Sequence, residues 1–270
     1  MRELGSRRKA WTLGWTVLAF LYAPLLVMAV FSFNDSEFTS LPFNGFTWHW
    51  YRVVLEDERL LESVWNSVYV ALGVVALSTL FGLPAAIALD RYEFPGKAWF
   101  SRLVLLPIVL PGVITGVALL LFYMLMHFKL SLYTIMLGQG TGLMCVTITE
   151  VSARLRRMGR STEDAARMLG AGEWEVLRKV TLPGVLPALL GAMLIAFSIS
   201  FDEIAVTYLL TGRQNTLPMT LWSMLRREAT PEVNAVSTLV ILVSIVLICI
   251  GTWLSRRGSG EPVPAPGQTA

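Results

Sequence analysis

Charged residues are scarce in this chain of 270 residues. Asp, Glu, Lys and Arg together make up 15% of it, whereas hydrophobic residues make up 54%. A water-soluble domain carries roughly 25% charged residues, so this composition excludes an ordinary soluble protein. Two cysteines are too few for a disulfide scaffold, and the high apolar content excludes intrinsic disorder. The composition therefore predicts a protein that crosses a membrane several times.

Signatures of catalysis are also missing. The sequence contains no G-x-x-x-x-G-K-[ST], H-E-x-x-H, G-x-S-x-G or C-x-x-C motif, and its two histidines, His49 and His127, lie far apart. Cys145 and Cys249 lie in apolar stretches, where a thiol behaves as a small hydrophobic side chain. The glycine-rich run 138–142 is interpreted as a surface for close helix packing. We therefore predict no enzymatic activity and no catalytic, metal or cofactor site in this chain.

Long uncharged stretches dominate the sequence instead. A hydrocarbon core about 30 Å thick requires roughly 20 apolar residues per helix. Six stretches meet this requirement. They predict membrane spans at about 11–33, 66–89, 103–126, 130–149, 184–210 and 233–255. A five-span alternative merges the third and fourth stretches.

The first stretch could also be interpreted as a secretory signal peptide, because a basic segment, Arg7-Arg8-Lys9, precedes it. Its uncharged part is longer than the apolar region of a signal peptide, which is about 7 to 15 residues, and no A-x-A cleavage site follows. We therefore expect an uncleaved helix.

Lys and Arg residues are distributed unevenly between alternate connections. Sixteen of the 22 lie in the N-terminus, the second and fourth connections, and the C-terminal tail. The positive-inside rule places these segments in the cytoplasm. We expect a cytoplasmic N-terminus at 1–10, a transmembrane domain at 11–257 with a cytoplasmic loop at 152–181, and a disordered tail at 258–270.

The cytoplasmic loop has helical features of its own. Ser161 and Asp164 match a capping box, and Gly170 is placed to end the helix that begins there. Residues 174–179 predict a second short helix with an apolar face, which Pro183 is expected to end. Such a helical pair could be a docking surface, because small side chains permit close approach. It could equally be a solvated loop that packs against its own bundle.

The segment from Asp164 to Pro183 resembles the EAA motif (EAA-x3-G-x9-I-x-LP) of the permease subunits of ABC importers. Asp164 replaces the usual Glu, and Val180 replaces the usual Ile. In that family the loop forms coupling helices that sit in a groove of the ATPase subunit. The residues to which the resemblance assigns ATPase coupling are Glu163, Asp164, Ala165, Ala166, Leu169, Gly170, Val180, Leu182 and Pro183.

Further segments, at 32–35, 45–51, 197–203, 217–218 and 231–235, are similar to the PotC-type permeases of spermidine and putrescine importers. This resemblance implies an all-α membrane protein with six transmembrane helices and the type I ABC importer (MetI-like) permease fold. It also implies location in the bacterial inner membrane and polyamine import.

The partners implied by the resemblance are a PotB-like second permease, two copies of a PotA-like ATPase and a PotD-like extracytoplasmic solute-binding protein. ATP and Mg would be bound by the ATPase subunits. Three alternatives stay open: an importer of iron, phosphonate or another small solute, an ATP-independent carrier or channel, and a structural or assembly protein of the membrane.

Two adjacent carboxylates, Asp202 and Glu203, interrupt the fifth apolar stretch. Burying each toward the bilayer centre costs roughly 2.5 to 3.5 kcal/mol, so neither is expected to face lipid. Adjacent helical positions point about 100° apart, so the two cannot share one direction. We predict that one of them faces the substrate pathway and offers a counter-charge to an ammonium group, while the other is held by the structure. A cap near a gate or an ion pair between subunits is the alternative.

Overall fold

The computed structural model describes residues 2–36, 43–227 and 231–258, and these are almost entirely helical. Within these ranges, strand pairing is limited to an isolated bridge between Asn34 and Phe46. The helices are α1 (Arg2–Phe31), α2 (His49–Glu56), α3 (Glu58–Arg91), α4 (Lys97–Val109), α5 (Gly112–Leu125), α6 (Leu132–Met158), α7 (Ser161–Met168), α8 (Glu173–Val176), α9 (Leu182–Phe201), α10 (Ala205–Leu210), α11 (Leu217–Arg227) and α12 (Pro231–Gly258). A π-helical turn, Leu177–Thr181, joins α8 to α9. The predicted all-α class is confirmed. The predicted tail lies outside the described residues from 259 onward.

The chain divides into two compact units. One unit comprises residues 1–58 and 223–270, and its described part includes α1, α2 and α12. The other comprises residues 59–222 and carries α4 to α10 together with nearly all of α3. Every residue of the candidate site lies in this second unit.

Four helical segments are long and apolar enough to cross a membrane. They are Trp11–Phe31, Glu58–Arg91, Leu132–Met158 and Glu173–Phe201, which contain most of the first, second, fourth and fifth predicted spans. The sixth predicted span lies in α12, and its segment Pro231–Val243 is apolar. Because most side chains beyond this segment are outside the described set, the total of six spans stays a prediction.

The third predicted span, 103–126, is not one straight helix. It is divided between α4 and α5, whose axes are bent by 108°. Leu110 between them is extended, with φ −76° and ψ 131°, because the ring of Pro111 disfavours a helical conformation in the preceding residue. Pro107 removes a further backbone donor from the last turns of α4. This segment is therefore a broken span or a re-entrant loop.

The larger unit is held together by two apolar clusters, and α3 and α6 contribute to both. The buried residues of the first cluster are Val70, Val74, Tyr123, Leu132, Ile135, Met136, Val206 and Leu210. Those of the second are Ala86, Ile148, Val151, Leu155, Val185 and Leu189. The second cluster packs the first turns of α9 against α3 and α6.

Glycines permit close helix contacts in this unit. A Cβ added at Gly138 would lie 2.6 Å from Leu210 Cδ1, and one added at Gly140 would lie 3.1 Å from Leu77 Cβ. Gly142, by contrast, faces open space. The predicted packing role of the 138–142 run is therefore confirmed at two of its three glycines.

Gly82 of α3 provides a test of such a contact. A Cβ at this position would lie 2.9 Å from Thr147 Cβ and 3.2 Å from the backbone oxygen of Met144 in α6. Because the backbone of α6 cannot move independently of its helix, we expect Gly82→Ala to cost about 1 to 3 kcal/mol and to lower the Tm of the purified protein by roughly 2 to 12 °C. Gly142→Ala is the matched control and should leave the Tm unchanged or raise it slightly, since alanine favours helix. Equal Tm values for the two variants would contradict the close approach of α3 and α6.

The smaller unit contains an aromatic cluster where α1 ends. The ring of Phe33 stacks on Phe46 with centroids 4.6 Å apart, and Trp48 meets Phe33 edge-on at 4.9 Å. The hydroxyls of Ser32 and Tyr51 share a hydrogen bond of 2.6 Å. These contacts fix the chain that follows α1 against the start of α2.

Candidate functional site

The α7–α8 segment, residues 159–181, connects α6 to α9 and contains seven of the nine predicted coupling residues. The first predicted helix is present as α7, but its predicted capping box is wrong. Ser161 is already the first helical residue, Arg160 is the N-cap, and the Asp164 amide donates to the Arg160 carbonyl at 2.9 Å. Because the helix begins one residue earlier than a Ser161 cap requires, the Ser161 hydroxyl is not placed to accept the Asp164 amide.

The end of α7 is as predicted. Gly170 has φ +89°, a left-handed conformation that glycine adopts without steric cost. Its amide donates to the Arg167 carbonyl at 2.9 Å, and the Ala171 amide donates to the Ala166 carbonyl at 3.1 Å. These two bonds form a Schellman motif, which satisfies carbonyl groups at the helix end and reverses the chain into α8.

Pro183 does not end the second helix, contrary to the prediction. The chain stays helical from Glu173 to Phe201, passing through the π turn between α8 and α9. In this turn the Leu182 amide bonds to the Leu177 carbonyl, five residues earlier, so the backbone is wider than in an α-helix. Pro183 then falls at the start of α9, directly after the π turn.

Glu163 lies on the inner face of α7 and is 1% exposed. Its carboxylate accepts hydrogen bonds from Arg91 Nη2 at 3.1 Å and from Thr181 Oγ1 at 2.9 Å, and Arg91 Nε lies 2.9 Å from its other oxygen. Arg91 ends α3, and Thr181 belongs to the π turn. Glu163 therefore joins three helical elements and is inaccessible to a partner protein.

Ionic contacts on the outer face of the segment are exposed. Arg167 donates to Asp164 Oδ1 at 2.9 Å and to both Glu173 oxygens at 2.7 and 3.1 Å. These bonds, first of all the one to Glu173, raise the pKa of Arg167 above its ordinary value. Because exposed ion pairs contribute little to stability, they orient α7 relative to α8 rather than hold the fold together.

Three large apolar side chains protrude beside these charges. Met168 is 83% exposed, Leu169 is 89% exposed and Trp174 is 69% exposed. Ala165 is exposed on the same helix, and Ala166 is half-buried. Exposed apolar patches rimmed by polar residues are typical of protein–protein contact surfaces. We call Met168, Leu169, Trp174 and Ala165 the apolar patch of α7–α8.

The remaining residues of the motif lie at the base of α9. Val180 and Leu182 are half-buried, and Pro183 is exposed. They occupy the π turn and the first turn of α9, and the buried Thr181 lies between them. These positions connect the apolar patch to the helix that leads to Asp202.

Asp202 and Glu203 occupy a break between α9 and α10, so the predicted span 184–210 is interrupted. Asp202 is the C-cap of α9, and its side chain is exposed. Glu203 Oε1 accepts the amide of Val206 at 3.0 Å, which stabilises the start of α10. One carboxylate is thus held by the backbone, and the other belongs to an exposed residue.

A buried polar cluster lies beside this break. Gln139 of α6 accepts a hydrogen bond from Ser200 at 2.6 Å and donates one to Thr207 at 2.8 Å. Ser200 belongs to α9 and Thr207 to α10, so a single amide joins the helices on both sides of the break. Buried polar groups of this kind are stable because their hydrogen bonds are satisfied within the bundle.

Sequence reasoning did not find Arg91, Thr181 or Gln139. Arg91 belongs to no short motif, Thr181 is an unspecified position of the EAA motif, and Gln139 lies within the glycine-rich run. Each acquires its role from a contact with a residue 18 or more positions away. A usable signal existed for Arg91, because it is the first basic residue after the second uncharged stretch.

Long apolar helices joined by an exposed helical segment are the architecture of a protein that crosses a membrane several times. Residues 63–258 match the family described as binding-protein-dependent transport system inner membrane component. The chain belongs to this family. The predicted family membership is therefore confirmed. The predicted multi-pass location in the inner membrane is confirmed as well, and so is the assignment as a transport subunit rather than an enzyme.

Two relatives share most of their length with this chain. The spermidine/putrescine transport system permease protein PotC of Haemophilus influenzae is 31% identical over 91% of this chain and 95% of that protein. The putrescine transport system permease protein PotI of Escherichia coli is 32% identical over 97% of both chains.

The fold is shared with a solved structure of an ABC transporter. A chain from the crystal structure of a bacterial alginate ABC transporter, in complex with an alginate-pentasaccharide-bound periplasmic protein, superposes with a TM-score of 0.69. The superposition covers 97% of this chain and 100% of that chain at 16% identity. The predicted type I ABC importer permease fold is confirmed.

Proposed function

We propose that this chain is a permease subunit that imports spermidine and putrescine across the bacterial inner membrane, driven by ATPase subunits that bind the α7–α8 segment. The observation that carries the proposal is the apolar patch of α7–α8, in which Leu169 and Met168 are almost fully exposed. Polyamines are proposed as the substrate because PotC and PotI, the relatives described above, carry polyamine transport in their names.

The proposed assembly contains a PotB-like second permease, two PotA-like ATPase subunits and a PotD-like solute-binding protein outside the membrane. ATP and Mg are bound by the ATPase subunits. Both termini of this chain and the α7–α8 segment face the cytoplasm, where the positive-inside rule puts the arginine-rich connections. ATP-driven closure of the ATPases moves α7 and the helices attached to it, so the cavity between the permeases alternates between outward and inward access.

Asp202 is the proposed contact with the substrate. A spermidine or putrescine molecule carries ammonium groups, and a carboxylate inside a membrane favours a passing cation. Glu203 is engaged by the Val206 amide, whereas the Asp202 side chain is exposed at the helix break. We therefore assign the pathway role to Asp202 and the structural role to Glu203.

Uptake of radiolabelled spermidine tests the proposed substrate. Cells that lack this chain should regain uptake when it is restored, at least about tenfold above background, because coupled import needs every subunit. Unlabelled putrescine is expected to compete, and a phosphonate or ferric iron is not. Restored uptake of a phosphonate or iron instead of spermidine would support the importer function and contradict polyamines as the substrate.

A further inference from the structure

The ion pair between Glu163 and Arg91 lies between the apolar patch and the membrane helices. The guanidinium of Arg91 contacts Glu163 through Nε and Nη2, and Nη2 also donates to the Gly159 carbonyl at 3.0 Å. Its remaining nitrogen, Nη1, contacts the Asp90 carboxylate. One side chain thus holds the start of the α7–α8 segment, the inner face of α7 and the end of α3.

The same carboxylate reaches the π turn. Thr181 Oγ1 donates to Glu163 Oε1 at 2.9 Å, and Thr181 is buried. Arg160 adds a second link, because its Nη2 donates to the Asp90 carbonyl at 2.8 Å. Since α9 continues directly from the π turn, displacing α7 displaces the base of α3 and the base of α9 together.

The burial of Glu163 excludes a direct contact with an ATPase. Its neighbours in sequence, Asp164 and Ala165, are exposed, whereas Glu163 is turned inward and fully engaged. A buried charge pair with good geometry holds its partners in one arrangement, because separating the charges inside the protein is costly. A rigid link transmits a displacement, and a compliant link absorbs it.

We infer that Glu163, Arg91 and Thr181 form a mechanical joint that transmits movement of the docked α7 to α3 and α9, so that Glu163 is a positioning residue for coupling rather than a docking residue. The inference rests on the proposed function, because it requires an ATPase bound to α7–α8. Weakening the joint leaves the apolar patch in place for docking. ATP hydrolysis then continues, but less of the movement of α7 is transmitted to the α9–α10 break.

The test uses the whole complex in proteoliposomes with its binding protein and spermidine, and measures ATP hydrolysed per spermidine imported. Glu163→Gln removes the charge and keeps the shape, and we expect it to raise this ratio by roughly fivefold or more. Thr181→Val removes one hydrogen bond without stranding a charge, and a rise of about twofold is expected. Copurified ATPase should stay within about twofold of the parent level in both variants, because the patch is intact.

Two exposed controls match these changes. Glu93→Gln removes a carboxylate that pairs with Lys97 in the open, and Thr162→Val changes an exposed threonine on α7 itself. Both should leave the ratio unchanged. If Glu163→Gln does not accumulate, Thr181→Val decides: a ratio like that of its control overturns the inference.

Two further outcomes separate the joint from the proposed function. Glu163→Gln could lower ATP hydrolysis and spermidine import in equal proportion, so that the ATP hydrolysed per spermidine is unchanged. Glu163 would then act in assembly, which overturns the inference but not the proposed importer. If no ATPase accompanies even the unchanged chain, the proposed function and the joint are both overturned.

Discussion

Leu169→Arg is expected to reduce the ATPase subunit that copurifies with this chain to roughly a tenth of the parent level or less. Leu169 is the most exposed member of the apolar patch and is the C-cap residue of α7, next to Met168. Docking buries such a side chain, and an arginine there would carry an unpaired charge into the interface. A positive charge at the C-terminal end of a helix is compatible with the helix dipole, so α7 itself should persist.

The matched control for this substitution is Tyr92→Arg. Tyr92 is also largely exposed, follows α3 directly, and lies on the face proposed to be cytoplasmic, outside the apolar patch. Copurification should be unchanged in this variant. Loss of the ATPase from both variants would indicate a general effect of added charge. If the ATPase still copurifies with Leu169→Arg, the apolar patch is not part of the docking surface.

Asp202→Asn is expected to reduce spermidine import by roughly tenfold, because the ammonium groups of the substrate lose their counter-charge at the helix break. Glu203→Gln is the neighbouring neutralisation, and its amide oxygen can still accept the Val206 amide. We expect this variant to retain most of its import. Assembly with the ATPase should be the same for both, since neither residue lies in the α7–α8 segment.

The comparison of the two variants distinguishes the pathway role from the alternatives. Equal losses would favour a cap near a gate, to which both residues contribute through the break. Unchanged import in both variants would remove the two carboxylates from the substrate pathway. The measurement is the initial rate of labelled spermidine uptake at several concentrations, with the amount of chain in the membrane determined in parallel.

Long apolar helices lie at four of the six predicted spans, because hydrophobic length can be read directly along the sequence. The shapes of the spans could not all be predicted in this way. Pro111 marks the break between α4 and α5, and a closer reading of the pre-proline rule would have found it. Pro183, by contrast, does not break the helix, because a π turn precedes it and the helix continues. This continuation could not be predicted, since no residue type is specific to a π turn.

The motif assigns the coupling residues as a set, and that assignment stays a prediction, but the direction of each side chain could not be predicted. The motif gives a linear order, and Glu163 and Asp164 are adjacent in it. Only the three-dimensional contact with Arg91, 72 residues earlier, turns Glu163 inward and leaves Asp164 on the surface. Gly170 was predictable because a positive φ at a helix end is a local property of the backbone.

The measurement that tests the central claim most directly is ATP hydrolysis by the complex that copurifies with this chain, extracted gently from its native membrane. The proposed function predicts hydrolysis that rises severalfold when spermidine and the cognate binding protein are both present, because the ligand-bound binding protein favours the state in which the ATPases close. Hydrolysis that does not change when spermidine or putrescine is added would contradict polyamines as the substrate. Absence of any copurifying ATPase activity would contradict the coupled importer itself.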